Sequence, residues 1–262
     1  MSDDKRTPAD IYDELFVPAL FRQWAPVVLD AAGVKPGDAV LDVACGTGVL
    51  ALAAAERVGP GGSIAALDAT PEMLAVARRK SDRVDWCHGM AEALPFANDS
   101  FDAVVSQFGM MFFSDRPAAM REMFRVLRSG GRLAVAVCDS LGHSPGYAAF
   151  ATLLKRLFGD SVAEAFSAPF VLGDPQLLLS ICGEAGIAGA RVQAHAGVIR
   201  FASIASLVST ERACAWTLGG LLDQQQFKQL LQESERSLQG FTKADGTIAF
   251  AMPALIVTAR KP

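Results

Sequence analysis

The chain has 262 residues, 51% of them hydrophobic, with 24 basic and 28 acidic side chains and a formal net charge of −4. That balance argues against a broad nucleic-acid surface, and no apolar run reaches the ~20 residues needed to span a bilayer. The five cysteines, Cys45, Cys87, Cys138, Cys182 and Cys214, are scattered and form no CxxC pair, so reduced thiols, a cytoplasmic location and no metal site are expected.

The first residues, MSDDKRTPAD, are polar and no apolar h-region follows, so no signal peptide is read. In IYDELFVPALFRQWAP, the aromatic residues Tyr12, Phe16, Phe21 and Trp24 recur at near-helical spacing and predict a helical segment within residues 1–36. AVLDV predicts a buried strand. A loop of small residues follows it, and VLALAAAERV then predicts a helix stopped by GPGG. SIAALD predicts a second strand; Thr70 offers an N-cap and Pro71 a first position for the helix PEMLAVARRK. VDWCH and FDAVVS predict two more strands, PAAMREMFRVLRSGG an amphipathic helix, and RLAVAVC a fifth strand. Strands alternating with helices imply crossovers and a parallel sheet covered on both faces.

The second half follows another pattern. Residues 147–157, 175–185, 204–218 and 224–238 predict helices, and RVQAHAGVIRF predicts one antiparallel strand. GTIAFAMPALIVTARK predicts the last strand, in which Pro253 requires an edge, a bulge or a break. The fold class is α/β: a doubly wound, Rossmann-like seven-stranded sheet, last strand antiparallel, with a helical lid. One domain, residues 1–262, divides into the helical segment 1–36, a ligand-binding core 37–139, lid helices with a sixth strand over 140–240, and the last strand in 241–262.

Gly46, Gly48 and Ala51 satisfy G-x-G-x-x-G/A, with Asp68 ~20 residues further on. This pattern fits a dinucleotide or a methyl donor, because an acid after the second strand can bind ribose in either. Asp42 discriminates between them. A carboxylate just before the loop repels a pyrophosphate and favours a ligand with an ammonium or sulfonium. The loop lacks Lys and Arg, and G-x-x-x-x-G-K-[ST] is absent. An NAD-dependent oxidoreductase using the same loop stands as the alternative. Gly142-His143-Ser144-Pro145-Gly146 matches the nucleophile elbow of α/β hydrolases, and Asp174 and His195 follow in hydrolase order. Pro145, however, has no N–H for an oxyanion hole, so Ser144-Pro145 reads as a helix start.

The successive segments LDVACGTG, LDATPEML, GMAEALPFANDSFDAVVS and VLRSGGRLAV resemble the ordered motifs of class I S-adenosylmethionine-dependent methyltransferases. The likeness is greatest to the branch with the ubiquinone/menaquinone-biosynthesis C-methyltransferases (methyltransferase type 11), and it covers residues 38–137. The resemblance implies S-adenosylmethionine as cofactor. It places Asp42, Ala44, Cys45, Gly46 and Gly48 along the methionine half and Asp68 on the ribose hydroxyls. Ala69 and Met73 would lie on the adenine, Met90 and Ala91 at its edge, and Gln107 and Phe108 beside the sulfonium. Two positions depart from the family pattern. Ala44 replaces the first glycine of D-x-G-x-G-x-G, a mild change if its φ is negative. Met90 stands where the family often has an Asp that accepts from the adenine amino group. That leaves the Ala91 backbone, apolar packing or Glu92 for the task.

Methyl transfer is an in-line displacement that mainly requires alignment and dryness, with a general base for a hydroxyl or acidic carbon acceptor. His143, after the fifth strand, is the candidate base or acceptor contact; His88 and His195 read as structural or exposed. The resemblance also implies that the N-terminal segment closes over the cofactor, with Tyr12 and Phe16 as pocket walls. From the run Met110-Met111-Phe112-Phe113, Met111 is expected against the acceptor. The expected acceptor is small and fairly apolar, aromatic or quinone-like, methylated on carbon or oxygen. Nucleic acid and membrane spans are not expected, and the protein is read as a monomer or homodimer.

Overall fold

Val40, Leu41 and Val43 leave no face of AVLDV for water, and the strand they form, β1 (Ala39–Val43), lies centrally in the sheet of the computed structural model, which describes residues 7–214 and 217–262. β2 (Ser63–Asp68), β3 (Val84–His88), β4 (Phe101–Gln107) and β5 (Leu127–Cys138) join it in parallel. One face packs Val40, Ala66, Val105 and Ala134 against Val28 and Leu29 of helix α1 (Trp24–Ala31) and Leu50 and Ala54 of α2 (Val49–Val58). The other packs Leu41, Val104 and Val135 against Met120 and Met123 of the later helix Arg116–Val126. Helix α3 (Pro71–Arg78) links β2 to β3. Thr70 occupies its N-cap position, but its side chain makes no cap bond; Asp68 instead accepts from the Thr70 N–H at 2.8 Å.

The helix predicted over PAAMREMFRVLRSGG is shorter than the pattern suggests. It runs Arg116–Val126 (α4), and Leu127 already pairs with Phe101. Lys261 Nζ donates to the freed carbonyls of Arg125 and Leu127 at 3.0 and 2.6 Å, a terminating partner that local periodicity cannot reveal.

The two long strands of the second half are each divided. RVQAHAGVIRF forms β6 (Arg191–His195) and β7 (Val198–Phe201); the last segment forms β8 (Ile248–Ala251) and β9 (Ala254–Arg260). β9 runs antiparallel to β5, and β6 antiparallel to β9, completing a seven-stranded sheet of order β3-β2-β1-β4-β5-β9-β6. β7 and β8 form a separate two-stranded sheet. The register nevertheless continues across the break: His195 faces Ala254, Met252 N–H donates to Gly197 O at 2.9 Å, and Val198 faces Ala251. Pro253 has no N–H for the ladder, so the break falls there. Its carbonyl accepts from Asp139 N–H at 3.2 Å.

The helices over this half are α5 (Pro145–Phe158), α6 (Asp160–Ser167), α7 (Pro175–Glu184), α8 (Ile204–Ala213) and α9 (Gln224–Ser237). α6 has no counterpart among the predicted elements; Gly159, at φ +87, separates it from α5. The helix predicted over residues 204–218 ends at Ala213, and its positions 215 and 216 lie outside the described residues. At the other end of the chain, Pro8–Ile11 is α-helical and Tyr12–Phe21 winds as a π-helix, its last turn closed by Arg22 N–H on Val17 O at 2.8 Å. Among the described residues, no single helix is long and apolar enough to cross a membrane.

Candidate active site

A cavity opens at the carboxyl ends of β1, β2, β4 and β5, beside the point where strand order reverses between β1 and β4. The loop after β1 is turned by Ala44 (φ +59), Gly46 (φ +55) and Gly48 (φ +90). Its shape is held from β2: Cys45 N–H donates to Leu67 O at 3.0 Å, and Gly46 N–H to Asp68 Oδ2 at 2.8 Å. Gly48 begins α2 and does not line the cavity; a Cβ there would lie 2.5 Å from the Trp86 ring. Its smallness serves packing rather than a ligand. Ala44 does line the cavity, but its φ is positive, contrary to the condition under which Ala is a mild replacement. Its methyl group covers Gly109, where an added Cβ would come within 2.4 Å. Phe108, after β4, also has positive φ, +55.

Asp42 is wholly buried, lines the cavity, and has no hydrogen-bond partner on either oxygen. Burial, and then the charge of neighbouring Asp68, hold its carboxyl well above the usual carboxylate range; the nearby Ala51 amide, which falls short of hydrogen-bond geometry, acts weakly the other way. Two further acceptor atoms on the wall lack partners. Gln107 donates through Nε2 to Phe21 O at 3.1 Å, leaving Oε1 unpaired. Glu92 accepts the Ser114 and Asp115 N–H groups on Oε1, at 2.8 and 3.3 Å, leaving Oε2 unpaired. Glu92 is thus tied to the turn that precedes α4, and Met90 sits half exposed at the rim. Among the described residues the wall carries Asp42, Asp68, Glu92 and Glu211, and no Lys or Arg. Such a wall asks for a ligand that donates hydrogen bonds and carries positive charge.

The other expected residues Cys45, Gly46, Asp68, Ala69, Met73, Ala91, Gln107, Phe108, Tyr12, Phe16 and Met111 all line this cavity. The π-helical winding stacks Tyr12 on Phe16 (5.9 Å between ring centroids) and on Phe21 (5.5 Å), and Phe21 meets Phe108 at 5.4 Å. The segment is tied to the loop: Thr47 Oγ1 donates to Asp13 at 2.6 Å, and Lys80 pairs with Asp13 and donates to Thr47 O. Met110 packs in the core, whereas Met111, Phe112 and Phe113 reach the wall.

His143 is not brought there. The turn Leu141–His143 carries it outward; its side chain is 66% exposed, with Nδ1 3.0 Å from Asp139 Oδ2. The elbow motif dissolves as well. Buried Ser144 Oγ donates to Ala251 O at 2.8 Å instead of capping α5, and Gly146 accommodates the Phe250 ring. Asp174 caps α7, and His195 ends β6.

The far end of the cavity holds residues that sequence reasoning missed. Glu211 of α8, 2% exposed, accepts from Tyr147 Oη of α5 at 2.6 Å and from Thr217 Oγ1 at 3.0 Å. Burial pushes its carboxyl up to about 7, against the two hydroxyl bonds that lower it. Phe166, Phe170, Cys138, Cys214 and Met252 complete this end. No local signal marks the acid, because in IASLVSTERACA it stands among Ser206, Ser209, Thr210 and Arg212.

Residues 7–166 match the ubiE/COQ5 methyltransferase family. The chain belongs to that family. It is 39% identical over 132 residues to the ubiquinone/menaquinone biosynthesis C-methyltransferase UbiE of Hahella chejuensis, covering 48% of this chain and 53% of that protein. It is 40% identical over 136 residues to the demethylmenaquinone methyltransferase of Renibacterium salmoninarum, covering 52% and 56%. The chain thus spans about half the length of the curated relatives it matches. Among solved structures, the YcgJ protein of Bacillus subtilis superposes with a TM-score of 0.59 at 23% identity, covering 91% of this chain and 98% of that one. A phosphoethanolamine N-methyltransferase 2 from Haemonchus contortus, in complex with S-adenosyl-L-methionine, gives 0.61 at 20% identity, covering 99% and 58%. The likeness in fold therefore extends over the second half, beyond the span shared with the family.

Proposed function

We propose that this ubiE/COQ5-family chain is an S-adenosylmethionine-dependent methyltransferase acting on carbon or oxygen of a small, fairly apolar acceptor. It works as a single domain over residues 1–262, in the cytoplasm, as a monomer or homodimer. The observation that carries the reading is Asp42: a fully buried carboxylate on the cavity wall with neither oxygen bonded. An ammonium satisfies it, and Gln107 Oε1 offers a further acceptor. Each Asp68 oxygen already takes one backbone N–H and keeps a lone pair for ribose hydroxyls. Leu67, Ala69, Met73 and Ala91 supply an apolar bed for adenine.

When bound, the cofactor supplies a methyl group on a positively charged sulfur, ready for displacement. The chain's own part is to bind, align and dry. Tyr12, Phe16 and Phe21 shield the pocket from solvent, and Phe108 and Gly109 form its floor after β4. A pyrophosphate finds no cation on the described wall and would face Asp42, so nothing favours the NAD reading. Thermal unfolding tests the assignment. S-adenosylhomocysteine at 100 times its Kd adds about 2.7 kcal/mol, and NAD adds nothing; stabilisation by NAD alone overturns it. Transfer of a labelled methyl group to phenols, quinols and carboxylic acids then sorts the acceptors.

A further inference from the structure

We propose that Glu211 is the general base of this enzyme, removing the proton from the hydroxyl of an aromatic acceptor that lies among Tyr147, Phe166 and Phe170. The assignment rests on the methyl-transfer reading above and adds the acceptor's subsite to it. The cavity is continuous from one end to the other. Tyr12 stands within electrostatic reach of Asp68 on one side and of Cys138 and Cys214 on the other, and all of these line the same cavity as Glu211.

At the far end Tyr147 packs edge-on against Phe166 (5.3 Å), Phe170 (5.9 Å) and Phe250 (5.2 Å). A flat ring suits this box. Among the described residues Glu211 holds the one carboxylate at this end, and the hydroxyls of Tyr147 and Thr217 occupy one lone pair on each oxygen. The remaining lone pairs are free to accept from a ligand. The other titratable groups near it are Tyr147 from α5, Cys138 at the end of β5, Cys214 after α8, and Tyr12 from the N-terminal segment. Burial keeps the Tyr147 hydroxyl far above neutrality and the Cys138 thiol at about 12, so neither serves as a base there. A carboxyl that titrates near neutrality is matched to proton removal at cellular pH.

The step balances simply. The acceptor's O–H bond breaks, an O–H bond forms on a Glu211 oxygen, and the electron pair stays on the acceptor oxygen or spreads to its ortho carbon. That pair forms the bond to the methyl carbon as the carbon–sulfur bond of the cofactor breaks and its electrons stay on sulfur, so S-adenosylhomocysteine leaves. Where the ortho carbon is methylated, its C–H proton is then lost and the ring oxygen regains one. Glu211 returns the proton to solvent as product leaves.

Three measurements test the assignment. The first is S-adenosylhomocysteine stabilisation, expected to be equal in the wild type and Glu211→Gln; its absence in the wild type defeats the methyl-transfer reading itself. The second is methyl transfer to a series of phenols from 4-methoxyphenol to 4-nitrophenol. Glu211→Gln is expected to lose at least about 100-fold on the weakly acidic members and far less on 4-nitrophenol, which needs no base. In the wild type kcat/KM rises with pH through about 7, and the variant lacks that limb. An equal loss along the series, no loss, or no transfer to any phenol by the wild type overturns the assignment alone. The third does not depend on turnover. The infrared carbonyl band of the protonated carboxyl, titrated with S-adenosylhomocysteine present, is expected to move its midpoint down with 4-methylphenol but not with 4-methylanisole, which cannot donate. If both or neither move it, the assignment fails. Should Glu211→Gln not fold, Tyr147→Phe identifies the same band by raising its midpoint.

Discussion

Ala44 occupies left-handed backbone, at φ +59, where a Cβ is unfavourable by about 1–2 kcal/mol. Glycine there relieves that strain and opens the contact with Gly109, offset by its greater freedom in the unfolded chain. Ala44→Gly is therefore expected to stabilise the protein by about 0.5 kcal/mol, read from urea unfolding. Glu211 shows the opposite case, a native residue that weakens the fold. Its carboxyl sits at about 7 in the folded chain against an ordinary 4.5, so between those pH values the folded state keeps a proton that the unfolded state has released. Stability then falls as pH rises through that window, by roughly 3 kcal/mol from this one group. Glu211→Gln removes the titration. The variant is expected to melt several degrees above the wild type at pH 8 and to lose that advantage by pH 5.

The interrupted ribbon is the element in which geometry departs most from pattern. Gly197 lies where the Trp24 indole crosses it; an added Cβ would stand 2.2 Å from the ring and 2.5 Å from Met252 O. Gly197→Ala is expected to lower stability by about 2–3 kcal/mol in denaturant melts, and a smaller ring at Trp24 to restore part of that in the double variant. Nothing local to RVQAHAGVIRF announces this, because the obstructing side chain comes from α1, far away in sequence, and the alternation of side chains persists across the break. The five parallel strands were legible for the converse reason. Each is a short apolar run closed by its own turn residues, and Asp42 and Asp68 take their places from strand ends a fixed distance from the glycines. The same rule of strand ends points His143 toward the cavity, but the turn Leu141–His143 swings it into water. Tyr147, Glu211 and Thr217 meet only through packing of α5 against α8 and the turn beyond it, so no spacing could have joined them.

For the whole molecule, ligand binding and pH are coupled through Asp42, the acid whose charge is opposed by burial and by Asp68. Burial biases its carboxyl toward the protonated form; an ammonium placed against it favours the ionised form. Binding of S-adenosylhomocysteine thus releases up to one proton. Its affinity is expected to rise with pH, by at most tenfold per unit, until Asp42 is already ionised in the free protein. The gain in melting temperature on adding S-adenosylhomocysteine should accordingly be larger at pH 8 than at pH 5.5. Glu211 titrates in both the free and the bound protein, so its own effect on stability largely cancels from that difference. Asp42→Asn separates the cause. With no carboxylate to ionise, the variant should bind more weakly at pH 8 and show the same gain at both pH values. A gain in the wild type that stays flat with pH would mean that the ammonium is held elsewhere, with Gln107 Oε1 the next acceptor to test.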